Sequence, residues 1–305
     1  MAAADTTPPA DLDRRLRWAL AGAVCCLLGL AATWILAAHV PAVRLRDAAA
    51  LRGFIELQRP WLDAVAQGVL DLIGPIQCTI YALVLALIAL RRGRPLLAVA
   101  VPLLLGGSVL IAEELKPLLA VPHDFVTVGY QIKAASWPSG HSTAAMAMVM
   151  GAVLVAPRRR RPAVAALGGV FTVAVGFSML MLAWHMPSDV IGGFLLSGFT
   201  TAVTVVTVIL AERRGLGARH FAGAARVVRE VRLRPASRSA AGPAPSQVPT
   251  ATVAVVLSGV LAAVAARPGQ AAGFAANHHS VVAFAAVIAV LAVALVSGAA
   301  VALRR

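Results

Sequence analysis

Two histidines, a carboxylate and a lysine stand out in a chain otherwise poor in polar side chains. His185 precedes Asp189 by four positions, with Pro187 between them. Proline favours the first turn of a helix, so the pair falls on one face of a helix start. Free N–H groups and the helix dipole favour an anion there. Asp189 can accept from one ring nitrogen of His185 and leave the other free to attack phosphorus. The run Pro138-Ser139-Gly140-His141 supplies a helix cap, a glycine that lets an anion approach the backbone, and a histidine able to protonate a leaving oxygen. Lys116 ends an earlier apolar stretch after Glu113 and Glu114. Together these groups are equipped for phosphoryl transfer without a metal or other cofactor. Each also has a plainer reading. Asp189 caps a helix beside an interfacial histidine, Ser139 is an ordinary N-cap, and Lys116 snorkels from a helix end. Glu113 and Glu114 need a partner at membrane depth, and Lys116 in that role would compete with phosphate.

The elements that position these residues are membrane helices. The 305 residues are 60% hydrophobic and 13% charged, with a mean hydropathy of +0.83; soluble domains carry roughly a quarter charged residues. Apolar runs fall at about 18–38, 73–90, 95–115, 140–156, 163–184, 189–211, 250–266 and 280–302. Most approach the ~20 residues needed to cross ~30 Å of hydrocarbon. The first follows Arg14, Arg15 and Arg17 but is longer than a signal-peptide core and has no convincing cleavage site, so it reads as a retained helix. Residues 39–72, with balanced charges and apolar residues near helical spacing, read as an amphipathic interfacial segment.

The chain thus divides into a cytoplasmic tail (1–17), a six-helix core (18–211), an Arg-rich cytoplasmic linker (212–249) and a C-terminal helix pair (250–305). The net charge of +14 is scattered in short clusters between apolar runs, which describes topology and excludes a nucleic-acid-binding stripe. With the N-terminus inside, twenty of the twenty-seven basic residues lie on the cytoplasmic side. The candidate residues then face outward from the plasma membrane. Cys25, Cys26 and Cys78 lie in apolar stretches with no disulfide or metal spacing. His278 and His279 have no third ligand nearby and read as solvated loop residues.

Three motifs in order resemble the type 2 phosphatidic acid phosphatase and vanadium haloperoxidase superfamily. Its first motif is Lys, six residues, Arg-Pro; here Lys116 is followed at that spacing by His123 and Asp124. The second, Pro-Ser-Gly-His, is complete at Pro138 to His141. The third, Ser-Arg, five residues, His, three residues, Asp, is present as Ser178, Met179, His185 and Asp189. Methionine stands where the arginine belongs. The resemblance implies an all-α integral membrane protein with a six-helix phosphatase-like core. It implies that His185 is the nucleophile forming a phosphohistidine, Asp189 its orienting acid and His141 the general acid. Lys116, Ser139, Gly140 and Ser178 would hold phosphate, with His123 as substitute charge. The expected partners are a lipid phosphate substrate and membrane lipids. The missing arginines leave two other readings open, transfer on a lipid phosphodiester or a non-catalytic scaffold. A small-solute transporter would place ionisable groups near the midplane, where these spans are largely free of charge.

Overall fold

The computed structural model describes residues 9–121, 132–216, 273 and 275–302, and these are helical apart from turns and short connections. In chain order the helices are α1 (Pro9–His39), α2 (Pro41–Ile55), α3 (Pro60–Asp71), α4 (Pro75–Arg91), α5 (Pro95–Leu118), α6 (Gly140–Val155), α7 (Arg161–Met181), α8 (Pro187–Arg213) and α9 (His279–Ala302). A proline occupies the first or second position of α2, α3, α4, α5, α7 and α8. There its missing N–H leaves no hydrogen bond unmade, and its fixed φ suits the helix.

Among the described residues, five helices (α1, α5, α7, α8 and α9) are long and apolar enough to cross a membrane, and a sixth span results if α3 and α4, which meet at 48°, form one broken crossing. The chain is a multi-pass, all-helical membrane protein. The apolar run expected at 250–266 lies outside the described residues; each of the others falls on a helix. The interfacial stretch 39–72 is two helices, α2 and α3, separated by a turn after Ile55. Helix α1 begins at Pro9, upstream of its apolar run, and its Asp13 pairs with Arg213 at the end of α8.

At the centre stands α6. It has only 16 residues, and 13 of them are buried. A helix apolar on every side can be enclosed by its neighbours, and α6 packs against α4, α5, α7, α8 and α9. Some polar side chains inside the bundle are paired across helices, while the buried Thr201 hydroxyl has no partner among the described residues. Ser108 of α5 and Thr200 of α8 share a hydrogen bond of 2.7 Å, and Ser197 of α8 donates to the Thr143 carbonyl of α6 at 2.7 Å. Exposed Leu27, Leu83, Leu103 and Val290 lie on faces that lipid would cover. Helix α9 lies against α7 and α2, with His278 paired to Glu56 at 2.7 Å.

Candidate active site

The turn between α7 and α8 is built to turn one side chain outward. At the end of α7, Trp184 N–H bonds the Met179 carbonyl at 2.9 Å and Ala183 N–H bonds that of Leu180 at 3.1 Å. This closure places Ala183 in the left-handed region, with φ 54°. Glycine normally takes that position, and an alanine there is strained. The next residues are Trp184, His185 and Met186, the N-cap of α8, followed by Pro187.

Asp189, only 1% exposed, accepts from Met186 N–H at 3.0 Å through Oδ2. The same oxygen meets His185 Nδ1 at 3.1 Å. One carboxylate oxygen thus makes both contacts, to the backbone N–H at the helix start and to the imidazole. With Oδ2 accepting, Nδ1 carries the proton of the neutral ring and Nε2 keeps its lone pair.

The Ser-Gly-His turn is fastened directly to this one. Ser139 N–H donates to the Asp189 carbonyl at 3.0 Å, and the Ser139 hydroxyl accepts from Ser142 N–H at 3.4 Å as the N-cap of α6. That hydroxyl donates to Met179 Sδ at 3.3 Å, so it points into the core. Such close approach of α6 and α8 requires Gly193. A Cβ on it would lie 2.1 Å from Ser142 Oγ and 2.7 Å from the Ser139 carbonyl oxygen.

An open cleft of about 550 Å³ gathers Lys116, Gly140, His141 and His185 on its walls. Asp189 lies behind His185. Ser139 and Ser178 are buried and do not line the cleft, while His123 is outside the described residues. Lys133, Glu113, Ser136 and Trp184 complete the polar end, and Ile73, Cys78, Val109 and Ala144 give the cleft an apolar side. Trp184 packs edge-on to the His141 ring with centroids 5.7 Å apart. Sequence reading missed this contact, although the tryptophan directly precedes His185. Glu113 Oε1 holds Lys116 Nζ at 2.6 Å. It also sits 2.7 Å from where a Cβ on Gly140 would be. The carboxylate thus crowds both the lysine and the glycine expected to receive phosphate, with Lys116 Nζ itself 3.5 Å from that Cβ position.

A second buried acid adjoins the site from α2, beyond what sequence reading had singled out. Asp47 is 3% exposed. It accepts from Ser188 N–H at 3.1 Å through Oδ1 and from the Ser188 hydroxyl at 2.6 Å through Oδ2. Burial pushes its carboxyl up to about 7, the Ser188 hydrogen bonds work against that rise, and neighbouring Asp189 adds to it.

Fold and cleft together define a helical membrane protein with a histidine–aspartate pair at the end of its bundle. Residues 97–213 match the model of the PAP2 superfamily. The structure is similar to the crystal structure of a transmembrane PAP2-type phosphatidylglycerolphosphate phosphatase from Bacillus subtilis, with 25% identity and a TM-score of 0.52 over 60% of this chain and 93% of that one. No curated protein matches the chain.

Proposed function

We propose that the protein is a membrane phosphatase that hydrolyses a lipid phosphate ester or diphosphate through a phosphohistidine. The observation that carries this reading is the placement of His185, oriented by Asp189, on one cleft with His141 and Lys116. Nε2 of His185 attacks phosphorus as the bond to the lipid oxygen breaks, and His141 gives that oxygen a proton. Water then attacks phosphorus as the phosphorus–nitrogen bond breaks, His141 takes the water's proton, and inorganic phosphate leaves with His185 neutral again. Lys116 and the Gly140 N–H hold the phosphoryl oxygens. The apolar side of the cleft, formed by α4, α5 and α6, suits the hydrocarbon of a lipid whose phosphate lies among the polar groups. The B. subtilis protein is named for a lipid phosphate, in keeping with this substrate class. The excess of basic residues on the N-terminal side supports an outward-facing site in the plasma membrane.

A reading as a diester phosphotransferase has one observation in its favour. Met179 is fully buried against Ser139 where the superfamily motif has a guanidinium. A site short of cations weakens its grip on a doubly charged monoester more than on a singly charged diester. The test is phosphate release by purified protein from lipid monophosphates and diphosphates, with diesters alongside. Release from a monophosphate or diphosphate supports the phosphatase, and turnover of diesters alone supports the second reading.

Glu113 gives a further expected result. Its carboxylate competes with phosphate for Lys116, so Glu113→Gln is expected to lower KM and to tighten inhibition by inorganic phosphate. The effect should be modest, about threefold to tenfold, because the side chain is 52% exposed and solvent screens it. Steady-state kinetics with a phosphate titration checks this.

A further inference from the structure

Helix α2 lies outside the residues that match the superfamily, yet it delivers a carboxylate to the first turn of α8. Asp47 and Ser188 are 141 positions apart in sequence. Both carboxylate oxygens are used, one on the backbone N–H of Ser188 and one on its hydroxyl. Ser188 directly precedes Asp189, whose Oδ2 holds His185. The first turn of a helix has unpaired N–H groups, and these let it fray. Here Met186 N–H is held by Asp189, Ser139 N–H grips the Asp189 carbonyl, and Ser188 N–H is held from α2. The first turn of α8 is thereby closed on itself at Met186 and tied to α6 through Asp189 and to α2 through Ser188.

We propose that Asp47 is a positioning residue for the reaction at His185, gripping Ser188 so that the first turn of α8 cannot rotate and His185 keeps Nε2 aimed into the cleft. This inference rests on the reading of His185 as nucleophile. A neutral side chain could fasten α2 to α8 without the desolvation that burying a carboxylate entails. A carboxylate accepts from both Ser188 donors at once, one through each oxygen. A small rotation of the α8 start swings the imidazole through a larger arc. Positioning errors of about 1 Å are enough to cost on the order of 10²-fold in rate.

The experiment compares wild type with Asp47→Ala, Asp47→Asn, Ser188→Ala and His185→Ala as purified, folded protein in detergent, measuring kcat and KM separately. Asp47→Ala is expected to lower kcat at least tenfold with KM within about twofold, since the phosphate-holding groups lie elsewhere. Asp47→Asn keeps an acceptor for the Ser188 N–H and a donor to its hydroxyl, and should recover most of kcat. Ser188→Ala should lower kcat at least threefold and add nothing to Asp47→Ala, because both break one contact. A plain structural bolt would lower the melting temperature and leave the kcat of folded protein unchanged, which overturns the proposal. If Asp47→Ala does not fold, Ser188→Ala decides alone, and an unchanged kcat overturns it. Activity persisting in His185→Ala means the underlying reading of the site is wrong. A dead His185→Ala beside a wild-type kcat in Asp47→Ala and Ser188→Ala removes only the role of Asp47.

Discussion

Alanine at His185 is expected to reduce phosphate release from a lipid monophosphate by about 10³-fold or more, while the protein stays folded in detergent. In the proposed mechanism the imidazole supplies the atom that bonds phosphorus, and among the described residues of the cleft only His185 has a carboxylate on its other ring nitrogen. Its side chain lines the cleft, and without it Asp189 can still cap α8 through Met186 N–H, so its loss should leave the bundle intact. Asp189→Asn separates two jobs of the aspartate. The amide oxygen can still accept from Met186 N–H and cap α8. The charge that stabilises a positively charged, phosphorylated imidazole is lost, however, and turnover should fall by about 10²–10⁴-fold. The check is phosphate release measured beside a thermal unfolding curve for each variant. A cap lost without a rate effect would leave Asp189 as a purely structural residue.

Gly193→Ala is expected to be the most damaging single methyl in the described chain. Its Cβ would meet Ser142 Oγ at 2.1 Å, the Ser139 carbonyl oxygen at 2.7 Å and Thr143 N at 3.0 Å. Two of these are backbone atoms at the start of α6 and cannot rotate away. The end of α6 must move off α8, carrying Gly140 and His141 away from His185 and loosening the Ser139–Asp189 hydrogen bond. We expect a loss of about 3 kcal/mol or more, as for severe overpacking, together with loss of activity. Gly198→Ala should be milder, because its near neighbours are the side chains of Cys26 and Leu295. Gly68→Ala meets nothing within 4 Å and should be neutral or stabilising by up to ~1 kcal/mol. Melting temperatures of the three variants in one detergent give the ranking.

Much of this architecture is legible in the chain because local rules set it. Apolar length marks the spans, and Pro41, Pro60, Pro75, Pro95 and Pro187 each open a helix. The spacing from His185 to Asp189 gives their contact directly, since both flank one helix start. Contacts between distant segments leave no such trace. Asp47 looks like one charge among several of both signs in an interfacial segment, and nothing local ties it to Ser188. The direction of the Ser139 hydroxyl was equally hidden, because it depends on Met179 lying behind the turn. Central α6 also departs from simple span counting. It is shorter than a typical crossing and is buried by its neighbours rather than by lipid.

The central claim is that His185 carries the phosphoryl group between lipid and water. It is tested most directly by rapid mixing with a lipid phosphate radiolabelled at phosphorus, followed by quenching in alkali and peptide mapping. A phosphohistidine survives alkali and is lost in acid. The account predicts label on the peptide containing His185 that forms and decays within the turnover time and is absent from His185→Ala. Phosphate release by wild type with no labelled peptide at any time, or label that persists in His185→Ala, would contradict it.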